Sequence, residues 1–128
     1  MIADLNNKGQ AIDTSKDCVV IVDNFQSVRG GRTLDTEGFP NDVIQAGHVI
    51  IKETETGNYK PLGLNSQGED YAALPSGHTY EHILINSILK DKPFAGLLVR
   101  GTVNHEAAPF EIPQEAKEAM PLIDFRAD

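Results

Sequence analysis

The chain has 128 residues, a formal net charge of −8, an apolar fraction of 40% and an aromatic fraction of only 6%. This length predicts one domain with a modest core. So acidic a surface repels phosphate backbones and anionic lipid, which excludes nucleic acid and membranes as expected partners. The sequence also lacks an apolar run near the roughly 18 residues that a membrane-spanning helix needs.

The first 16 residues are polar and contain only three isolated aliphatic side chains, Ile2, Leu5 and Ile12. So few apolar groups bury little surface, and we predict a flexible N-terminal arm over residues 1–16. The arm has neither the basic start nor the apolar segment of a secretion signal. We therefore expect the protein to stay in the cytoplasm in which it is made, or to join an assembly there.

Residues 18–22 form a continuous run of Cys18 and four β-branched side chains. This run predicts a strand buried on both faces. Cys18 is the only cysteine, so an intrachain disulfide is impossible, and we interpret it as a small buried apolar residue. Residues 24–42 contain three glycines and Pro40, which predicts a long loop, with Arg29 and Arg32 in a plain turn.

Residues 43–64 predict two strands joined by a polar turn at residues 53–58. Pro61 interrupts the second strand, and proline is confined to sheet edges, so we place this strand at an edge. Residues 79–89 fit either a strand or a helical stripe. Their β-branched and aromatic content favours the strand.

Residues 94–126 predict a strand, a loop, a short helix and a closing strand. Side chains alternate along a strand, which places Ala95, Leu97, Val99 and Val103 on one face of the first strand. The opposite face is predicted to carry most of Gly96, Arg100, Thr102 and Asn104. In the helix, the side that packs on the strand is predicted to carry Ile112, Ala116, Ala119 and Met120. Pro113 suits the first turn of the helix, and Pro121 ends it. Ile123 and Phe125 then alternate in the last strand.

Four histidines, His48, His78, His82 and His105, are candidates for metal chemistry. His78 and His82 have the spacing of two ligands on one helix face, but Gly77 and Tyr80 favour a strand. In a strand, residues four apart are separated by about 13 Å, too far to share a metal. His105 and Glu106 are interpreted as a solvated loop. We predict no catalytic residue, no metal and no cofactor, and hence a protein that is not an enzyme.

Three segments taken together carry a resemblance to a known family. They are AGHVIIKETETGNYKPLG at residues 46–63, GLLVRGTVNHEA at residues 96–107 and PLIDFR at residues 121–126. With a short helix between the last two, the chain resembles the bacteriophage head decoration proteins of the lambda type over roughly two-thirds of its length. It departs from them in having Leu122 where the family has glycine, and residues 17–42 have no clear counterpart.

The resemblance implies a mainly β fold with one or two short helices, a small single-domain β-barrel or β-tulip-like decoration domain over residues 17–128. It implies a homotrimer on the outer face of the expanded capsid, where the major capsid protein is the partner and the location is the virion. The trimer would stabilise the shell against the pressure of packaged DNA. We expect the arm to add a strand to a capsid subunit, with Ile2, Leu5 and Ile12 as capsid-contact candidates.

Three alternatives stay open. A small surface- or carbohydrate-binding β-domain of another virion component would need an exposed aromatic platform, and the chain has no tryptophan. A metal-dependent enzyme would use His48, His78, His82 or His105. A structural subunit of a tail or spike is the third alternative.

Overall fold

Ten strands and two short helices are found in residues 14–127, the part of the chain that the computed structural model describes. The helices are α1, Asp17–Val20, and α2, Gln114–Ala119. The strands are β1 Ile21–Ser27, β2 Arg32–Thr33, β3 Val43–Ile44, β4 Val49–Glu53, β5 Tyr59–Pro61, β6 His78–Leu84, β7 Ile88–Leu89, β8 Phe94–Ala95, β9 Leu97–Asn104 and β10 Ile123–Arg126. The predicted mainly β domain with short helices is confirmed.

Strand β9 is the centre of the six-stranded main sheet, whose order is β1-β9-β6-β4-β5. One side of β9 pairs with β1 along most of its length. Its other side is shared: β6 pairs antiparallel with Leu97 and Leu98, whereas β10 pairs parallel with residues 101–104. Two-stranded pairs, β2 with β8 and β3 with β7, complete the strand pairing.

The main sheet has an apolar core on each face. Neighbouring residues on a strand point to opposite faces, and Leu97 and Leu98 accordingly belong to different clusters. The α2-side core contains Leu98, Val103 and the buried face of α2. The loop-side core contains Leu97 and the buried apolar side chains of residues 34–44, including Leu34 and Phe39.

The predicted faces of β9 are wrong because the strand does not alternate regularly. Ala95 and Leu97 lie in the loop-side core, but Val103 lies in the α2-side core with Leu98. The pairing register with β1 shifts between Gln26 and Ser27, which inserts an extra residue into β9 and reverses the alternation beyond it. Val99, expected on the buried face, is only half-buried.

The C-terminal helix and closing strand agree with the prediction except at Ala119, whose predicted place on the packed side of the helix is wrong. Ile112, Ala116 and Met120 are buried in the α2-side core, whereas Ala119 is exposed. Proline at position 113 forms the N-cap, immediately before the first helical residue. The closing strand has the predicted alternation, and Ile123 is buried.

The prediction for residues 18–22 is wrong. Asp17–Val20 is one turn of helix, and Cys18 is exposed rather than buried. Strand β1 begins only at Ile21 and extends to Ser27, into the segment predicted to be a loop. A run of β-branched residues does not reveal this helical turn. The turn is held by contacts of Asp17 with residues distant in the chain, described below.

The main sheet is open, so the barrel expected from the resemblance is not found in the described residues. The path β1-β9-β6-β4-β5 ends at β1 and β5, and β10 pairs only with β9. Closure would require hydrogen bonds between these edges. The Asp35 N–H already donates to the Tyr59 carbonyl at 2.8 Å, and Pro61 has no N–H to offer. Strand β5 is therefore an edge strand, as predicted from Pro61.

Candidate interaction surface

The loop between β9 and α2, residues 105–113, is surrounded by three cavities of about 620, 440 and 330 Å³. The largest lies against α1, the second faces α2, and the third faces residues 39–45. Pro109 lines all three. This loop is therefore a wall that all three cavities share.

Asn104, the last residue of β9, fixes the start of this loop. Its side-chain oxygen accepts hydrogen bonds from the N–H groups of Glu106 at 3.1 Å and Ala107 at 3.4 Å. This pattern is an Asx turn, in which the side-chain oxygen takes the place of a backbone carbonyl. The His105 N–H also donates to the Arg126 carbonyl at 3.3 Å, which joins the loop to the end of β10.

The middle of the loop is held by a buried aromatic cluster around His48. The imidazole ring lies edge-on to the rings of Phe39, Tyr71 and Phe110, with centroid distances of 5.4, 5.0 and 5.8 Å. Such edge-to-face contacts are favourable. They join four segments that are remote in sequence.

The polar atoms of this cluster are paired with backbone groups. His48 Nε2 lies 2.8 Å from the Leu62 carbonyl, so the neutral ring carries its proton on Nε2. Burial lowers the pKa of His48 to about 4, against a smaller opposing effect of the Leu62 hydrogen bond. The Tyr71 hydroxyl accepts from the Val49 N–H at 2.9 Å, and burial raises its pKa. His48 is thus a neutral structural residue rather than an acid–base group.

The other histidines do not converge with His48 on one site. His78 and His82 lie in strand β6, not on a helix. His82 is buried, with Nδ1 3.0 Å from the Leu98 carbonyl, and burial lowers its pKa. His105 Nδ1 accepts a hydrogen bond from Lys117 Nζ of α2 at 2.7 Å. Within residues 14–127 no group of three or more His, Cys, Asp or Glu could hold a metal ion.

Helix α1 forms one wall of the largest cavity and is tied in place by Asp17. Its carboxylate accepts from the Ser87 N–H at 2.8 Å and the Ser87 hydroxyl at 2.7 Å. The same hydroxyl accepts from the Ala46 N–H at 3.0 Å. With Ala107 and Ala108 opposite, these contacts define a groove, called here the α1 groove.

A second feature is an apolar and basic projection at the other end of β9. Phe94 is 63% exposed although it precedes a fully buried alanine, and its ring lies against the turn at residues 29–32. Gly30 and Gly31 have positive φ in this turn, and a Cβ on Gly31 would lie 2.7 Å from the Ala95 oxygen and 3.1 Å from the Phe94 ring. We call residues 29–32 with Phe94 the basic tip. The sequence did not reveal it, because Phe94 lies in a strand and an aromatic residue in a strand is commonly buried.

The exposed aromatic side chains do not gather into one platform. Phe25, 70% exposed, lies on the edge strand β1, whereas Phe94 belongs to β8. Tyr71 is in the His48 cluster, and Tyr59 packs near His82 at 5.5 Å between ring centroids. The carbohydrate-binding alternative gains no support from this arrangement.

Ile2, Leu5 and Ile12, the capsid-contact candidates, lie outside the described residues. The described part begins at Thr14, whose carbonyl accepts from the Asp17 N–H at 3.1 Å as α1 starts. No helix within residues 14–127 has the length and apolarity to cross a membrane.

Comparison with known proteins found no matching family model, no matching curated protein and no matching solved structure.

Proposed function

We propose that this protein is a phage head decoration protein, which binds the outer surface of the expanded capsid as a trimer and stabilises it against internal DNA pressure. The observation that carries the proposal is the placement of the strongest segment of the resemblance, with its following helix, beside the closing segment. Residues 96–107 and 121–126 contribute neighbouring parallel strands, β9 and β10, and the short helix α2 connects them. The order of elements is the one that the resemblance implies.

The strand–turn–strand segment adds support from the opposite side of the sheet. Residues 46–63 contain β4 and β5, which pair antiparallel as a hairpin. The three segments of the resemblance thus belong to one sheet. Their spacing along the chain is consistent with a single decoration domain.

The proposed mechanism is mechanical rather than chemical. A protein that binds only the expanded lattice stabilises it by mass action, by RT ln(1 + [L]/Kd) per site, where [L] is its free concentration. Three connected copies engage three capsid sites, and the second and third bind at high effective concentration once the first has bound. A modest contact by each copy therefore suffices for a firm assembly.

The arm supplies the proposed contact with the major capsid protein. A polar, extended segment can add to an exposed sheet edge, where backbone hydrogen bonds give affinity and apolar side chains give register. Ile2, Leu5 and Ile12 are the anchors available in residues 1–16. The negative charge of the chain suits an outer location, where binding to DNA has no role.

The decisive experiment mixes the purified full-length protein with empty expanded shells of the phage or prophage that encodes it. We expect saturable co-sedimentation, density at local three-fold positions by cryo-electron microscopy and a higher melting temperature of the shells. Unexpanded shells of the same capsid protein are the control and should bind less. Equal binding to both forms, or no binding to either, would reject the proposal.

A further inference from the structure

The basic tip has the properties of a projecting contact residue with charged neighbours. Phe94 keeps 63% of its surface exposed in a chain of net charge −8, and exposed Arg29 and Arg32 flank it in the adjoining turn. Within residues 14–127, neither arginine forms an ion pair with a carboxylate. Arg32 Nη1 instead donates to the carbonyls of Arg29 and Gly31, at 3.1 and 2.6 Å, which keeps the turn ordered.

The α1 groove has a lining that complements this tip. Its volume is about 620 Å³, and Val19, Ala107 and Pro109 supply apolar lining. Val19 is itself 50% exposed. Asp17 and Glu106 also line it, against a single cation, Lys16, so its mouth is net acidic. An aromatic side chain with an arginine beside it satisfies both parts of this lining.

The tip is not part of the groove within one copy of the chain. Phe94 is not among the residues that line the groove, and its ring lies against Gly31 instead. A contact between them must therefore join two copies head to tail, and such a heterologous contact forms a closed ring when its rotation permits.

We propose that copies of this chain associate by insertion of Phe94 of one copy into the α1 groove of the next, with Arg29 beside Glu106. The inference rests on the proposed trimer, for which it names the contact: three such steps, each of one third of a turn, close the ring. Every copy then contributes one tip and one groove, so no tip or groove is left without a partner.

Sedimentation equilibrium of the free full-length protein over a wide concentration range tests this contact. We expect Phe94→Ala to weaken self-association at least tenfold. Phe25→Ala is the matched control, because it removes an equally exposed phenylalanine from the edge strand of the same sheet, and it should leave association unchanged. A wild-type protein that is monomeric throughout, or equal effects of the two variants, would overturn the proposal.

Charge exchange tests the same pairing independently of the aromatic ring. Arg29→Glu and Glu106→Arg should each weaken association, and the double variant should recover most of the loss. Both positions are exposed, so folding is expected to be unaffected and circular dichroism verifies it. Additive losses in the double variant would contradict the pairing of these residues.

The natural Cys18, exposed on α1 beside the groove, allows a direct measurement of proximity. A second cysteine at exposed Lys92, two residues before Phe94, should be crosslinked to Cys18 of another copy by a short bismaleimide, giving products up to a trimer. Thr56→Cys, in the remote β4–β5 turn, should give no such products. Absence of crosslinks in the Lys92→Cys protein would overturn the contact.

Binding to expanded shells is measured separately on the same variants. A protein that decorates shells while Phe94→Ala leaves self-association unchanged would retain the proposed function but refute this contact. A protein that forms the Phe94-dependent ring but never binds shells would retain this contact and refute the proposed function.

Discussion

Asp17 accepts two hydrogen bonds from Ser87, one from its backbone N–H at 2.8 Å and one from its hydroxyl at 2.7 Å. The two residues are 70 positions apart, and this contact joins the start of the described chain to the segment before β7. A helix of four residues has almost no stability of its own. The position of α1, and hence one wall of the α1 groove, therefore depends on this pair.

Asp17→Ala should lower the free energy of unfolding by about 1–3 kcal/mol, because the N–H and the hydroxyl of Ser87 lose their shared acceptor. Urea denaturation measures the change. Asp91→Ala, in the exposed turn before β8, is the matched control and should change stability by less than about 0.5 kcal/mol. Equal effects of the two substitutions would show that the Ser87 contacts contribute nothing.

Acid should destabilise the protein through His48. The unfolded chain binds a proton at the ordinary pKa of 6.5, whereas the folded chain keeps this ring neutral down to about pH 4. Its stabilising contribution is therefore complete above pH 6.5 and is lost as the pH falls toward 4. The loss is on the order of 3 kcal/mol, from 1.36 kcal/mol per pKa unit.

Urea denaturation at a series of pH values between 7 and 4 tests the role of His48. His48→Gln, which keeps a donor for the Leu62 carbonyl, should be less stable at pH 7 but show a shallower decline with acid. His78→Gln, at the half-buried first position of β6, is the matched control for the loss of a histidine. The buried His82, whose pKa is also lowered, leaves part of the slope in every variant. An unchanged slope in His48→Gln would contradict the assignment.

Gly101→Ala should be strongly destabilising. An added Cβ would lie 2.2 Å from the Asp23 carbonyl oxygen, so β1 and β9 could not keep their pairing. Overpacking of this kind costs about 1–3 kcal/mol or more. Gly63→Ala is the control, since its Cβ would meet nothing within 4 Å. Thermal unfolding should show a large drop in Tm for the first variant only.

The arm should be required for capsid binding but not for folding. Replacing Ile2, Leu5 and Ile12 together by aspartate is expected to weaken binding to expanded shells at least tenfold, about 1.4 kcal/mol, with little change in Tm. Asn6, Asn7 and Gln10 replaced by acidic residues add the same charge at polar positions of the arm and serve as the control. Equal loss of binding in both triple variants would point to charge alone and reject the three aliphatic anchors.

Much of the C-terminal half was predictable because its local signals agree with one another. The proline at position 113, the helical spacing of Ile112, Ala116 and Met120, and the alternation in β10 all specify the same elements. Pro61 likewise placed β5 at an edge, because a missing N–H excludes it from the sheet interior. These features depend only on backbone chemistry and nearby residues.

The candidate surface was much less predictable. The sequence placed His48 among possible metal ligands, whereas the fold encloses it between Phe39, Tyr71 and Phe110. It also suggested buried Cys18 and an unremarkable turn at residues 29–32. Each of these environments is set by residues distant in the chain, and no local pattern encodes them.

By itself, the sequence determined an acidic, mainly β domain with a helix and strand at its end, and it supplied the resemblance from which a function is proposed. Only the tertiary structure decided that the main sheet is open with a core on each face, that α1 is a helix held by Ser87, and that Phe94 projects into solvent. The physical reason is that side-chain periodicity specifies local conformation, whereas burial depends on which distant segments pack together, and a single irregularity in β9 exchanges its faces.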